Sequence, residues 1–198
     1  MTKAGFVSLI GAPNAGKSTL MNTMIGQKVS IVTPKVQTTR SCIRGIAMKD
    51  ESQVIFVDTP GIFQPKRRLD RAMVSAAWQG AGDSDVIMLV HDVARAQIDA
   101  DTMRILESIK QRQVKAGLIL NKIDLTTPEH VMKRTSALSE LYDFSKIFMV
   151  SAEKAKGTDD ILAWLAEQMP DSPYLYDPDD LSDLPQRLLA AEIVREKL

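Results

Sequence analysis

The sequence predicts an α/β protein with a mostly parallel, doubly wound sheet of six strands and one antiparallel edge strand. Three observations predict it. Short runs apolar at nearly every position, as strands covered on both faces are, alternate with longer stretches of helical spacing. Only one pair of strands is joined by a turn too short for a crossover, Asp50-Glu51-Ser52, so only the second strand runs antiparallel. The glycine-containing and polar motifs all follow the carboxyl ends of predicted strands, where such sheets bind ligands.

In order, Gly5 to Ile10 reads as a buried strand, and Ser18 to Ile25 as the first turns of a helix. Gln27 to Arg40 is polar, contains Pro34 and lacks any period, so it is a loop. Ser41 to Met48 is the edge strand, and Gln53 to Val57 a buried strand ending at Asp58. Thr59-Pro60-Gly61 breaks the chain, a second loop runs from Ile62 to Arg68, and a helix spans about Leu69 to Ala81. Val86 to Val90 is the next strand. Ile98, Met103, Ile105, Leu106 and Ile109 have roughly helical spacing before the strand Ala116 to Leu120. Pro128 opens a helix through Leu141, suited to its first position. Ile147 to Val150 is the last strand, and Thr158 caps a helix from Asp159 to Gln168. From Met169 to Leu184 three prolines punctuate five aspartates with no basic residue, which reads as an acidic linker and not as fold. Leu188, Leu189, Ile193 and Val194 then form an amphipathic helix. The expected division is a domain over 1–169, a linker over 170–184 and a new helical element over 185–198.

Hydrophobic content of 44% and charged content of 25% are those of a globular protein with a packed core. The ten methionines and five phenylalanines are scattered along the elements, as core filling requires. One cysteine, Cys42, permits no internal disulfide and fits a reducing cytosol. No signal-peptide core is expected, and Val86 to Val90, the longest apolar run, is too short to span a bilayer. Formal net charge is zero, yet residues 1–49 carry seven Lys and Arg and no Asp or Glu. A basic segment of that kind favours an anionic ligand.

The anion is specified by Gly11-Ala12-Pro13-Asn14-Ala15-Gly16-Lys17-Ser18, which fits G-x-x-x-x-G-K-[ST] between a strand and a helix. A glycine loop there aims successive N–H groups at one spot, and the helix dipole adds positive potential, which suits a triphosphate. Asn14, Ala15, Gly16, Lys17, Ser18 and Thr19 are the expected phosphate-side residues. Lys17 reaches the β- and γ-phosphates and Ser18 ligates Mg²⁺. In Asp58-Thr59-Pro60-Gly61, Asp58 holds the Mg²⁺ through a water and the Gly61 N–H meets the γ-phosphate. Asn121-Lys122-Ile123-Asp124 chooses the base. The Asp124 carboxylate accepts the adjacent N1–H and N2–H₂ donors of guanine, whereas adenine presents a lone pair at its N1. Asn121 meets the imidazole edge and ties strands together, the Lys122 stem covers the base, and Ser151-Ala152 offers a backbone N–H to the guanine O6.

These four motifs, in this order and spacing, resemble the translation-factor-related P-loop GTPases, with a Ras-like G domain. Gln37-Thr38-Thr39-Arg40, Asp58-Thr59-Pro60-Gly61-Ile62, Val150-Ser151-Ala152 and the tail Ala191-Glu192-Ile193-Val194-Arg195-Glu196-Lys197-Leu198 resemble the Era family more closely. The resemblance implies a cytoplasmic, monomeric GTP/GDP switch in small ribosomal subunit assembly that binds 16S ribosomal RNA. Peripheral association with the inner face of the membrane is a further implication. It also implies that residues 185–198 open a KH RNA-binding domain, although no G-x-x-G clamp is present.

Where Ras-like enzymes place a water-orienting glutamine after D-x-x-G, Ile62 stands, so intrinsic turnover is expected to be slow. By resemblance to potassium-activated relatives, Asn14 and the 27–40 loop hold a K⁺ beside the phosphates; the competing role for Asn14 is to stabilise the loop by hydrogen bonds. Thr38 or Thr39 completes the Mg²⁺ shell, with Thr39 favoured, so the metal set is Ser18, Thr39 and Asp58. The catalytic set is Lys17, Thr39, Gly61 and Asn14. His91 and His130 are read as core or surface residues, and Arg40 and Lys66-Arg67-Arg68 as solvated charge. A GTP-binding scaffold without hydrolysis is the rival reading supported by Ile62; a P-loop ATPase or kinase is opposed by Asp124.

Overall fold

A computed structural model describes residues 1–30, 43–59 and 82–183. Within them, six strands form one sheet: β1 (Lys3–Ile10), β2 (Ile43–Lys49), β3 (Ser52–Asp58), β4 (Val86–Asp92), β5 (Ala116–Asn121) and β6 (Ile147–Met149). The order across the sheet is β2-β3-β1-β4-β5-β6. Every pairing is parallel except β2 with β3, as the two-residue connection Asp50-Glu51 requires. The four described α-helices are α1 (Lys17–Ile25), α2 (Ala100–Arg112), α3 (Pro128–Leu141) and α4 (Thr158–Gln168). The expected helix over 69–81 and the terminal helix over 185–198 lie outside the described residues.

The period-2 alternation of the central strands sorts their side chains onto two cores. Val7, Leu9, Met88, Val90 and Ile119 face α1 and α4, where Leu20, Met21, Ile161 and Leu165 meet them. Ile10, Ile87, Leu89, Leu118 and Leu120 face α2 and α3, packing on Ile105, Leu106, Ile109, Val131 and Leu138. Burial of this degree contributes roughly 1.5–3 kcal/mol for each large aliphatic side chain, which fixes the carboxyl ends of the strands firmly. β1, β4 and β5 extend one or two residues beyond the apolar runs, because the ladder continues through polar residues such as Asp92 and Asn121. β6 is shorter than expected and stops at Met149.

Capping agrees with the sequence in one case and corrects it in another. Thr127 caps α3 by accepting from the His130 N–H, with Pro128 first in the helix. At α4 the cap is Gly157, in the left-handed region at φ 77°, and not Thr158. Thr158 is the first helical residue, buried, and its hydroxyl donates back to the Ala155 carbonyl.

The segment read as a linker is held against the sheet. The Ala4 and Ser172 N–H groups donate to the Pro170 and Thr2 carbonyls, so the chain after α4 pairs with the start of β1. It then passes the amino end of β3. There the fully buried carboxamide of Gln53 accepts the Leu175 and Tyr176 N–H groups at 2.8 and 3.0 Å and donates to the Tyr176 carbonyl at 2.9 Å. Finally it lies along the outer edge of β2, where the Ile46 N–H donates to Leu181 and Arg44 pairs with Asp183 and the Tyr176 hydroxyl. Prolines and aspartates do not prevent this, because most of the bonds use the main chain of the strap, against other main chain and the Gln53 amide, and Asp183 itself pairs with Arg44. The strap covers an edge that would otherwise present open backbone groups.

Replacing Gln53→Ala removes three hydrogen bonds and leaves strap amides to find other partners. The expected loss is roughly 1–3 kcal/mol in urea unfolding, with faster proteolysis between residues 170 and 183. An unchanged midpoint and cleavage rate would show that the strap is not held through this amide.

Candidate functional site

The loop after β1 has the geometry that its sequence demands. The Ala15 N–H donates to the Ala12 carbonyl at 3.3 Å, closing a four-residue turn with Pro13 second and Asn14 third. Asn14 stands at φ 62°, as the third position of a type II turn requires. Gly16 follows at φ 94°, and a Cβ there would lie 2.3 Å from Asn121 Nδ2, so glycine is required twice over. α1 then begins without a side-chain cap and with no acidic residue in its first turn. Its amino-terminal N–H groups and dipole therefore meet no competing anion from a cap.

Lys17 is buried, and its Nζ donates to the Gly11 and Ala12 carbonyls at 3.2 Å each. Burial pushes its ammonium down to about 8; Asp58 pulls it up and Arg95 depresses it further. The Ser18 hydroxyl donates to Asp58 Oδ2 at 2.6 Å, and Asp58 is fully buried at the end of β3. Next to it, the Thr59 hydroxyl donates to the Leu9 carbonyl and locks the ends of β3 and β1 together.

The opposite wall comes from β5 and the turn after β6. Asn121 is buried with both ends of its amide engaged. Nδ2 donates to Ala15 O at 3.0 Å, and Oδ1 accepts from the Lys122 and Ala152 N–H groups at 2.8 and 3.0 Å. The Ala152 carbonyl in turn accepts from Thr23 on α1. Lys122, left-handed at φ 68°, sends its Nζ to the Asn14 carbonyl and to Asp92. Asp124 is the middle residue of a 3-10 turn (Ile123–Leu125); its carboxylate is held below the usual range by a hydrogen bond from Ser151 and by Lys154. Gly16, Thr19, Asn121, Lys122, Asp124 and Ala152 line a recess of about 260 Å³.

The structure thus gathers Asn14, Ala15, Gly16, Lys17, Ser18, Thr19, Asp58, Asn121, Lys122, Asp124, Ser151 and Ala152 at one end of the sheet. Thr38, Thr39, Gly61, Ile62, Arg40 and the Lys66-Arg67-Arg68 run lie outside the described residues. Of the two N–H groups in the Ser151-Ala152 pair expected to offer one to the guanine O6, that of Ala152 donates to Asn121 Oδ1 and that of Ser151 to Lys156 O. His91 is a core residue, its Nδ1 3.3 Å from Thr102 Oγ1, with burial pushing its pKa down to about 4. His130 Nε2 lies 3.3 Å from the Arg95 carbonyl. Sequence reasoning missed Asn22, whose amide grips the Val29 and Ser30 backbone, and Ser30, whose hydroxyl donates to Asp58 Oδ2 at 2.7 Å. It also missed Arg95 and Asp92. Asn22 is one turn after Ser18 on α1, which is the only signal that could have drawn it in.

Among the described residues no group of three or more His, Cys, Asp and Glu side chains could hold a metal. A buried carboxylate beside the hydroxyl of the phosphate loop's own serine is nevertheless the donor set that Mg²⁺ uses when phosphates and water complete its shell. Ser18 and Asp58 fit it. No described helix is long and apolar enough to cross a membrane.

A glycine loop on an uncapped helix, a buried lysine and a carboxylate-lined recess beside them define a P-loop nucleotide-binding domain. The profile of a family described as 50S ribosome-binding GTPase matches residues 6–122. GTPase Era of Dinoroseobacter shibae is 52% identical over 200 residues, covering 100% of this chain and 65% of the relative. GTPase Era of Sinorhizobium medicae is 54% identical over 198 residues, covering 100% and 63%. A crystal structure of Era with MgGDPNP and nucleotides 1506–1542 of 16S ribosomal RNA superposes with a TM-score of 0.92 at 36% identity, over 100% of this chain and 67% of that one. A point variant of Aquifex aeolicus Era bound to GDP·AlF4⁻ gives 0.90 at 36% identity, over 99% and 67%. The chain belongs to this GTPase family and, within it, to the Era GTPases. It spans 63–65% of the length of these two curated relatives.

Lys17 carries a pH signature with a definite sign. Its folded pKa, about 8, lies below the ordinary 10.5, so between those values the unfolded chain binds more protons. Stability should therefore rise with pH across that window and show no Lys17 contribution to its slope below it. Lys17→Met should abolish the rise in unfolding free energy measured from pH 8 to 10.5. A rise that survives the substitution would contradict the assignment.

Proposed function

We propose that this chain binds GTP and GDP and hydrolyses GTP slowly, as the switch portion of a factor in small ribosomal subunit assembly. The observation that carries the reading is Asp124, an ionised carboxylate at the wall of a recess that Gly16 and Thr19 of the phosphate side also line. A base seated on Asp124 would have its phosphates on the α1 amino terminus. The Asp124 oxygens accept N1–H and N2–H₂ of guanine and reject adenine. For O6, the Ala152 N–H would be shared between the base and Asn121 Oδ1, as a three-centre bond.

On the phosphate side, Lys17 leaves the loop carbonyls for the β- and γ-phosphates, which raise its pKa again. Ser18 and Asp58, with Thr39 or Thr38, would hold Mg²⁺, which when bound neutralises charge on the β- and γ-phosphates. The Gly61 N–H would contact the γ-phosphate, and ordering of the two loops on it would make the switch. With Ile62 after D-x-x-G, water is poorly oriented, which keeps turnover slow. K⁺ held by Asn14 and the 27–40 loop would add positive charge at the phosphates. The turn geometry favours a second role for Asn14, because its φ of 62° is needed whether or not a cation binds.

The Era structure bound to 16S ribosomal RNA supports the same class of RNA as partner here. Residues 1–169 are proposed as the G domain, 170–184 as the connection to an RNA-binding domain, and 185–198 as that domain's first helix. The setting is a cytoplasmic monomer, with peripheral contact to the inner membrane face.

Phosphate release tests this reading. The native chain should release phosphate from GTP and not from ATP with Mg²⁺, faster in KCl than in NaCl at equal ionic strength. Asp124→Asn should move the preference to xanthosine triphosphate. Equal rates in the two salts would remove K⁺; tight GTP binding with no release would support a scaffold; unchanged GTP preference in Asp124→Asn would sink the base assignment.

A further inference from the structure

Arg95 lies in the chain between β4 and α2, away from every nucleotide motif, yet it reaches the phosphate loop. Its Nη2 donates to the Pro13 carbonyl at 2.8 Å, and its Nη1 pairs with Asp99 at 2.8 Å. Asp99 is itself fixed. It caps α2 through the Thr102 N–H and accepts the Thr102 hydroxyl as well. The Arg95 backbone is held from the other side, its carbonyl accepting from Arg134 Nη2 at 2.9 Å. A guanidinium tethered at both ends in this way is a rigid support.

The atom it supports is the informative one. In the turn Ala12-Pro13-Asn14-Ala15, the two common turn types differ by a half-rotation of the central peptide, Pro13–Asn14. Asn14 at φ 62° selects the arrangement that costs more for a residue with a Cβ. Arg95 grips the carbonyl of that same peptide. Because the peptide is planar and trans, holding the Pro13 carbonyl on the outer side of the loop aims the Asn14 N–H at the opposite side, toward the α1 amino terminus. Lys122 repeats the device one residue on, at the Asn14 carbonyl, tethered by Asp92. The Arg95 charge also reaches the interior of the loop, where it helps to depress Lys17.

We propose that Arg95 is a positioning residue for the phosphate site, fixing the Pro13–Asn14 peptide so that the Asn14 N–H faces the nucleotide's β- and γ-phosphates. This rests on the GTP-binding reading and adds to it a residue outside its motifs. The consequence is selective. Loss of Arg95 weakens ligands that carry a β-phosphate and spares recognition of guanine.

The test compares native protein, Arg95→Ala and Asp99→Asn for GTP, GDP and GMP, by displacement of a fluorescent GDP. Asparagine keeps the cap on α2 and loosens only the tether. In Arg95→Ala, GTP and GDP should weaken about tenfold, the loss expected of one charge-assisted hydrogen bond, while GMP changes less than about twofold. Asp99→Asn should follow in the same direction with a smaller change. Equal weakening of GMP and GDP would assign Arg95 a general structural role and overturn the proposal, as would GDP affinity within twofold of native. Failure of native protein to bind GDP would instead overturn the GTP-binding reading.

Discussion

The carboxamide of Asn121 is the constraint on which the site depends. It sits at the end of β5, two strands from β1, and joins three loops at once: Ala15 after β1, Lys122 after β5 and Ala152 after β6. Buried at 2% exposure, it has no solvent to exchange these bonds for, so each is worth more than its surface equivalent. Gly16 is the other half of the arrangement. A side chain there would occupy the space of the Asn121 amide nitrogen, so the glycine and the asparagine require one another. Through that contact the phosphate loop is packed directly against the recess beside Asn121.

Charge is arranged in two tiers around this body. The inner tier is the uncapped amino terminus of α1 and buried Lys17, with Asp58 as the single fully buried carboxylate among the described residues. The outer tier is Arg95 and Lys122, Arg95 tethered by Asp99 and both cations by Asp92, and each holding a carbonyl of the loop from outside. This explains how a chain of zero formal net charge keeps a cationic site: acidic residues from later in the chain orient the cations instead of facing the ligand. Desolvation of Lys17 stores unfavourable energy that bound phosphates would release, which favours tight ligand binding over stability of the unliganded fold.

Much of this was legible in the sequence because the informative features are local. Strand, glycine loop and helix are contiguous, so G-x-x-x-x-G-K-[ST] dictates both the turn and the site, and Asn121 to Asp124 carry their own geometry. The largely parallel sheet with one antiparallel edge strand followed from one tight turn and the alternation of strands and helices. What was not legible depends on contacts between residues far apart in the chain. The strap after α4 has the composition of a linker, and what binds it is the amide of Gln53, 122 residues from Leu175. A glutamine inside an otherwise apolar buried strand was the available sign. Arg95 reads as one more loop cation until the fold brings it to Pro13, 82 residues earlier. The α4 cap was misassigned because threonine carries a hydroxyl able to cap and glycine does not, whereas the backbone at Gly157 needed φ 77°.

The most direct test of the central claim is the GDP affinity of Asn121→Ala, measured by calorimetry alongside its unfolding curve. If Asn121 joins the phosphate loop to the base recess, the variant should remain folded and bind GDP at least about a hundredfold more weakly, since roughly three buried hydrogen bonds at about 1 kcal/mol each are lost. A folded variant that binds GDP within about threefold of the native chain would contradict the account, because the two loops would then hold their places without it.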